Sequence, residues 1–263
     1  MNQIHFLDEI LGSVRSDLNI RKKQKPLDTL MVPPEGEFAY LDFTSPFRES
    51  DFVLIAEIKR ASPSKGWLNK EMDIVGMAQR YVAGGAGVIS VLTEPEFFHG
   101  SLDDLAAVKQ NISLPVLRKD FIIDPYQVYE SRFFGADALL LIASILGENE
   151  LKELIELTHA LGMSALVETH NEKELGKALN AGALVVGINN RNLADFTVDL
   201  KTTLELSRYV PAGVIVISES GISSREQSAS LYACGVKGIL VGEALVTSEK
   251  PEEIIRCLLD LAS

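Results

Sequence analysis

Gly135-Ala136-Asp137-Ala138-Leu139-Leu140-Leu141-Ile142-Ala143-Ser144 is the stretch whose reading decides the fold. A glycine-containing turn delivers the chain into a short apolar run, as expected where a helix ends and a buried strand begins. The same unit recurs about every fifty residues, at Gly84-Gly85-Ala86-Gly87, Gly182-Ala183 and Gly235-Val236-Lys237-Gly238. Between these repeats lie further short apolar runs without such a turn. Together the runs are Phe52–Lys59, Gly87–Thr93, Pro115–Asp120, Ala138–Ser144, Ser164–Thr169, Leu184–Asn189, Val214–Ser220 and Gly238–Gly242. Each is followed by a polar, amphipathic segment long enough for a helix. Strict alternation of β and α implies a parallel sheet. Eight such units imply closure into a (β/α)8 barrel, with the glycine turns introducing strands 2, 4, 6 and 8.

Helix starts agree. Asp124-Pro125 pairs an N-cap with proline at the first helical position. Asn171-x-x-Glu174 and Ser223-x-x-Glu226 have the capping-box pattern after strands 5 and 7. Residues 1–50 differ from the barrel, residues 51–263. Ile4, Leu7, Ile10, Leu11, Val14 and Leu18 fall at helical spacing, and the basic cluster Arg21-Lys22-Lys23-Gln24-Lys25 follows. An irregular stretch with Pro33, Pro34 and Pro46 leads to the first strand. This reads as a helical extension packed on the body, within one domain, since about fifty residues hold little core of their own. The basic cluster is expected to act as a lid over a substrate.

The barrel reading tells where chemistry belongs. All eight strand C-termini surround one mouth, and barrel active sites are built there. Strand 1 ends in Glu57-Ile58-Lys59, strand 3 in Arg118-Lys119-Asp120, strand 5 in Glu168, and strand 7 in Glu219-Ser220. Side chains alternate along a strand, so Glu57 and Lys59 share a face. Charges after apolar runs at four strand ends point to a catalytic mouth more than to structural ion pairs. Ser220-Gly221 and Gly242-Glu243 follow strands 7 and 8, where barrels often bind phosphate. The loop Arg60-Ala61-Ser62-Pro63-Ser64-Lys65-Gly66 offers further donors, or is an ordinary solvated loop. Phe98 or Phe121 is placed to stack on an aromatic substrate, with plain packing as the competing reading.

The chain of 263 residues is 46% apolar and 24% charged, within the range of a globular protein. A net charge of −12 disfavours nucleic acid as a partner but leaves a small anion open. The N-terminus lacks the pattern of a secretory signal, and no apolar run reaches the roughly 18 residues of a membrane span. Cys234 and Cys257 read as two buried helical thiols in a reducing cytoplasm. His5, His99, His159 and His170 lack the spacing of metal ligands, and no dinucleotide or P-loop pattern occurs. A reaction without metal or cofactor fits these residues.

The stretch Ile55-Ala56-Glu57-Ile58-Lys59-Arg60-Ala61-Ser62-Pro63-Ser64-Lys65-Gly66 resembles the signature of indole-3-glycerol-phosphate synthases. So do Phe98-His99-Gly100-Ser101, Leu117-Arg118-Lys119-Asp120-Phe121, Leu166-Val167-Glu168-Thr169-His170, Ile188-Asn189-Asn190-Arg191-Asn192-Leu193 and Ser218-Glu219-Ser220-Gly221-Ile222. The resemblance runs in order over nearly the whole chain. It implies a TIM barrel with an extra N-terminal helical segment. It implies ring closure of 1-(2-carboxyphenylamino)-1-deoxyribulose 5-phosphate to indole-3-glycerol phosphate, with loss of carbon dioxide and water, in tryptophan biosynthesis. By the same resemblance Lys119 is the acid at the ketone and Glu168 the favoured base. Glu57 and Lys59 position the substrate and join the proton transfers. Asn189, Glu219 and Ser220 match positions that contact the substrate. Arg191 organises neighbouring carboxylates and meets the anthranilate carboxyl group. Gly221, Gly242 and Glu243, with Lys59 and Ser62 nearby, receive the phosphate.

Two rivals remain at this stage. Phosphoribosylanthranilate isomerase, a barrel of the same pathway, is expected to carry a cysteine base early in the barrel, where this chain has Glu57 and Lys59. A non-catalytic barrel serving as a binding module is expected to lose strand-end charges that this chain keeps. The expected partner is a small phosphorylated, anthranilate-derived substrate, bound by a cytoplasmic monomer or weak homo-oligomer, with no nucleic acid or membrane.

Overall fold

A computed structural model of the chain describes residues 4–32, 36, 38–63, 65–192 and 196–261, with the side chains of 4–6 left out. Pro33, Pro34, Ser64 and Leu193, used in the sequence reading, lie outside these. The eight predicted runs are strands: β1 (Val53–Ile58), β2 (Val88–Leu92), β3 (Val116–Lys119), β4 (Ala138–Ile142), β5 (Ser164–Thr169), β6 (Val185–Asn189), β7 (Ile215–Glu219) and β8 (Gly238–Val241). Each predicted run overshoots its strand by no more than two residues at either end. All neighbours pair in parallel, and β1 pairs with both β2 and β8, which closes the barrel.

Closure sorts the side chains into two cores. Val53, Ile55, Val88, Leu117, Leu140, Leu166, Val185, Ile217 and Leu240 fill the interior. Their neighbours Leu54, Ala56, Ile58, Ile89, Val167, Val186 and Ile239 pack outward under the helices. Burying a side chain of this size contributes about 1.5–3 kcal/mol, so a one-residue slip in register is strongly opposed. The segment read as irregular around Pro46 contains the short helix Ser45–Glu49, whose Phe47 joins Phe43 in the interior core and lies against Gly238 at the start of β8.

The turns before β2, β4, β6 and β8 put Gly85, Gly135, Gly182 and Gly235 in the left-handed region, where a Cβ is costly. Gly162 and Gly213 do the same before β5 and β7, so the turn is not restricted to even strands as expected. Asp124 and Asn171 cap their helices as predicted, through Tyr126 N–H and Glu174 N–H. The cap after β7 is Ser224 with Gln227, one residue beyond the expected Ser223–Glu226 pair. Cys234 and Cys257 are free and exposed, against the expectation of buried thiols; Cys234 follows the last turn of helix Arg225–Ala233 and Cys257 lies on the outer face of helix Pro251–Leu259.

The N-terminal helix runs from Ile4 to Gln24 and contains most of the basic cluster. Arg21 pairs with Glu130, Lys22 meets Asp124 at 2.7 Å, and Lys25 Nζ lies 3.9 Å from the Phe133 ring centre. These partners belong to helix Pro125–Phe133 or its cap, on the outside of the barrel. The basic cluster is therefore an anchor and not the expected lid. It is Leu7 and Ile10, near the other end of the helix, that reach the mouth.

Candidate active site

Inward-facing positions of the strands continue past the apolar core into charge. Val53 and Ile55 lead to Glu57 on β1, Leu117 to Lys119 on β3, Leu166 to Glu168 on β5, and Ile217 to Glu219 on β7. Register brings them to one level: Asn189 pairs with Glu219, Gly187 with Glu168, and Leu240 with Glu219. The side chains line a cavity of about 440 Å³ at the C-terminal mouth. All fourteen expected site residues border it: Glu57, Lys59, Ser62, Phe98, Lys119, Phe121, Glu168, Asn189, Arg191, Glu219, Ser220, Gly221, Gly242 and Glu243.

Lys119 is the hub. Its Nζ lies 3.2 Å from Glu219, 3.4 Å from Glu168 and 3.8 Å from Glu57. Glu57 takes a second cation, Lys59, at 2.6 Å. Burial alone would neutralise Lys119, but the three carboxylates outweigh it and hold its pKa above the ordinary lysine value. Burial likewise opposes charge on Glu57 and Glu168. Lys59 and Lys119 more than compensate at Glu57, and Lys119 with His170 at Glu168, so both carboxyls sit below the usual range. Glu219 differs. Burial and the nearby Glu168 and Glu57 charges exceed the help from Lys119, and its pKa is pushed up to about 7. One oxygen of Glu219 is buried with no hydrogen-bond partner among the described residues. The mouth thus holds ionised bases, ammonium acids and a carboxyl poised near neutrality, the materials of acid–base catalysis.

Two glycines make this packing possible. An added Cβ at Gly187 would stand 2.0 Å from Glu219 Oε1, and one at Gly242 would stand 2.3 Å from Glu57 Oε1. Both carboxylates lie in notches left by missing side chains. Gly187 was absent from the sequence-based site, although a glycine at an inward position of a strand was the available signal. His170, which bridges Glu168 and Glu174, was also missed. So were Leu7 and Ile10, which only the docking of the N-terminal helix brings to the cavity.

The remaining residues form the rim. Ser220 and Gly221 have φ of 68° and 79°, a sharp turn after β7, and a Cβ on Gly221 would meet Val198 at 2.2 Å. Ser62 Oγ is buried without a partner among the described residues. Glu243 extends its carboxylate to Lys65, so its side chain faces a cation of the β1 loop, and only its backbone is suited to an anion. Phe98 and Phe121 face each other with ring centres 6.3 Å apart. Arg191 Nη1 donates to Phe196 O at 3.3 Å, and among the described residues no carboxylate pairs with it. Arg118, expected at the mouth with Lys119, instead lies behind the strand and pairs at 2.8 Å with Asp120, which borders the cavity.

Comparison with known proteins agrees with this geometry. Residues 7–258 match the family model described as indole-3-glycerol phosphate synthase. An indole-3-glycerol phosphate synthase of Carboxydothermus hydrogenoformans is 52% identical over 207 residues, covering 78% of each chain. One of Sulfurimonas denitrificans is 42% identical over 260 residues, covering 96% of this chain and 98% of the relative. Among solved structures, the thiamine phosphate pyrophosphorylase of Pyrococcus furiosus superposes with a TM-score of 0.60 at 15% identity, over 80% of this chain and 94% of that one. The tryptophan synthase alpha subunit of Legionella pneumophila gives 0.57 at 14% identity, over 78% and 90%. At such identities these two speak for the fold alone.

Proposed function

The chain belongs to the indole-3-glycerol phosphate synthase family, and from that premise we propose how its residues divide the chemistry. The activity is the family's decarboxylating ring closure in tryptophan biosynthesis, so the isomerase and the binding module fall away. No helix among the described residues is long and apolar enough to cross a membrane.

In the proposed mechanism the ring carbon that carries the carboxylate attacks the ketone of the sugar chain. A carbon–carbon bond forms, and the ketone oxygen takes a proton from Lys119. Three surrounding carboxylates keep that lysine charged, so the proton is present where the oxyanion develops. The carboxylate then leaves as carbon dioxide, its bonding pair returning to the ring. Loss of the new hydroxyl as water needs a second proton, from Lys59 or from Lys119 once solvent has reprotonated it. Glu168 removes the proton from the adjacent carbon, which completes the indole double bond. Glu57 and Lys59 orient the substrate, and Asn189, Glu219 and Ser220 contact its polar chain. Phe98 and Phe121 flank the aromatic ring, and Arg191 receives the carboxylate before it departs. Ser62, Gly221, Gly242 and the Glu243 backbone take the phosphate, with the Lys59 cation close by.

The observation that carries this assignment is the convergence of Glu57, Glu168 and Glu219, from three different strands, on one ammonium at the cavity floor. We further propose one folding unit for extension and barrel, a site completed within one chain of a monomer or weak homo-oligomer, and a reducing cytoplasmic setting, supported by two free thiols. The test is the rise of indole absorbance on adding the carboxyphenylamino-deoxyribulose phosphate to the wild type, Lys119→Ala and Glu168→Ala. Loss of a positioned acid or base lowers kcat by about 10²–10⁴. Turnover by Lys119→Ala within tenfold of wild type would refute the role given to Lys119.

A further inference from the structure

Glu168 faces two basic side chains on opposite sides. Its Oε2 lies 3.4 Å from Lys119 Nζ toward the barrel axis, and its Oε1 lies 3.3 Å from His170 Nε2 toward the rim. The Nε2 contact is close without being an aligned hydrogen bond. His170 follows β5 directly, and its other ring nitrogen, Nδ1, is 3.0 Å from Glu174 Oε2. Glu174 is itself fixed in the first turn of helix Glu172–Asn180. It accepts the His170 backbone N–H at 2.8 Å and the Asn171 side-chain amide at 2.7 Å. His170 does not line the main cavity. It borders a smaller one of about 340 Å³ that, among the described residues, shares only Asn189 and Arg191 with it.

We propose that His170, clamped by Glu174, is a positioning residue that keeps Glu168 ionised and aimed at the substrate while Lys119 gives up its proton. The proposal rests on Glu168 being the base. Both ring nitrogens face carboxylate oxygens, which accept only, so the ring is satisfied as an imidazolium. Lys119 is shared among three carboxylates, and once it donates its proton it no longer offsets the charge on Glu168. His170 lies off the reacting atoms and keeps its charge through that step. The groups facing Glu168 are Lys119 from β3, Glu57 and Lys59 from β1, Glu219 from β7, Asn189 from β6 and His170. Those facing His170 are Glu168 and Glu174, with Arg191 and Asp199 across the smaller cavity. Burial works against charge on His170, but the nearby Glu168 and Glu174 carboxylates outweigh it and lift its pKa to about 10.

The test combines ring-nitrogen NMR of His170 with pH profiles of kcat/KM for wild type, His170→Asn, Glu174→Gln and Glu168→Gln. In the wild type, His170 is expected to stay doubly protonated through pH 8, and Glu174→Gln to lower the pH at which it titrates. Without the cation, Glu168 is harder to ionise, so the acid limb of kcat/KM moves to higher pH in His170→Asn. A shift of about one unit is a tenfold loss on the acid side that recovers toward the alkaline end. A role in folding alone would lower the rate equally at every pH, and that outcome, or a neutral His170 at pH 7 in the wild type, overturns the proposal. Glu174→Gln with the NMR readout decides the matter if His170→Asn does not fold. Full activity in Glu168→Gln would instead remove the base assignment, and the NMR result would still report on the dyad by itself.

Discussion

Arg118, Lys119 and Asp120 are consecutive, yet they serve two different regions. Arg118 points out of the barrel into a buried network beneath helix Pro125–Phe133, which Asp120 joins from the edge of the cavity. Arg118 is 0% exposed; its guanidinium meets Asp120 at 2.8 Å, Glu130 at 3.0 Å and the Ser131 hydroxyl at 3.1 Å. Glu130 in turn holds Arg21 of the N-terminal helix. Lys119 points inward, to three carboxylates around a cavity. Outside, each charge has opposite charges and hydrogen bonds that satisfy it, and Asp120 sits below the usual carboxylate range through Arg118 and Thr93, against the cost of burial. Inside, carboxylates crowd one another, Glu219 is raised toward neutrality, and one of its oxygens lacks a partner among the described residues. The outer cluster is resolved electrostatically and the inner one is not, because the inner one awaits a substrate.

Substitutions at adjacent positions should separate the two. Lys119→Ala is expected to abolish most turnover, as stated above. Arg118→Met leaves Asp120 and Glu130 buried with fewer cations, and breaking such a cluster costs about 3–5 kcal/mol. It should lower the thermal midpoint by far more than Lys119→Ala does, and equal midpoints in the two variants would erase the contrast between the two regions.

Gly187→Ala probes the inner region more finely. The new methyl displaces the Glu219 carboxyl, which can move because it is the end of a flexible side chain. A misplacement of about 1 Å is expected to cost up to about 100-fold in kcat with a small change in melting temperature. An unchanged kcat would mean that the notch has no catalytic purpose.

The smallest effect concerns stability against pH. A carboxyl whose folded pKa is raised binds its proton more tightly when folded. Its stabilising contribution is complete below the unfolded value and is lost as pH rises through about 7. Glu219→Gln removes that dependence. The difference in melting temperature, variant minus wild type, should therefore grow by a few degrees between pH 5 and pH 8. A difference constant with pH would show Glu219 already ionised across the range.

Much of this molecule is legible from residue order. The β–α alternation fixes the strands because apolar runs of this length, bounded by glycine turns and helix caps, have few other ways to be buried. The strand-end charges give the site, since a closed parallel barrel has one C-terminal rim. Alternation along a strand even separates Lys119 from Arg118 once one inward residue is known. Which parity faces inward was left open by the sequence, and so Arg118 was grouped with the mouth.

Distances and partners needed the tertiary structure. Gly187 carries no charge to announce it, and its importance arises from Glu219 on the neighbouring strand. Arg21 reads as a free cation in sequence and becomes an anchor only through Glu130, more than a hundred residues away. Composition and period specify what each segment buries, because burial of apolar surface is local in its pattern and additive. Electrostatics in a buried site is neither. The charge state of Glu219 is set by Lys119, Glu168 and Glu57 together, and only closure of the barrel brings those groups within reach of one another.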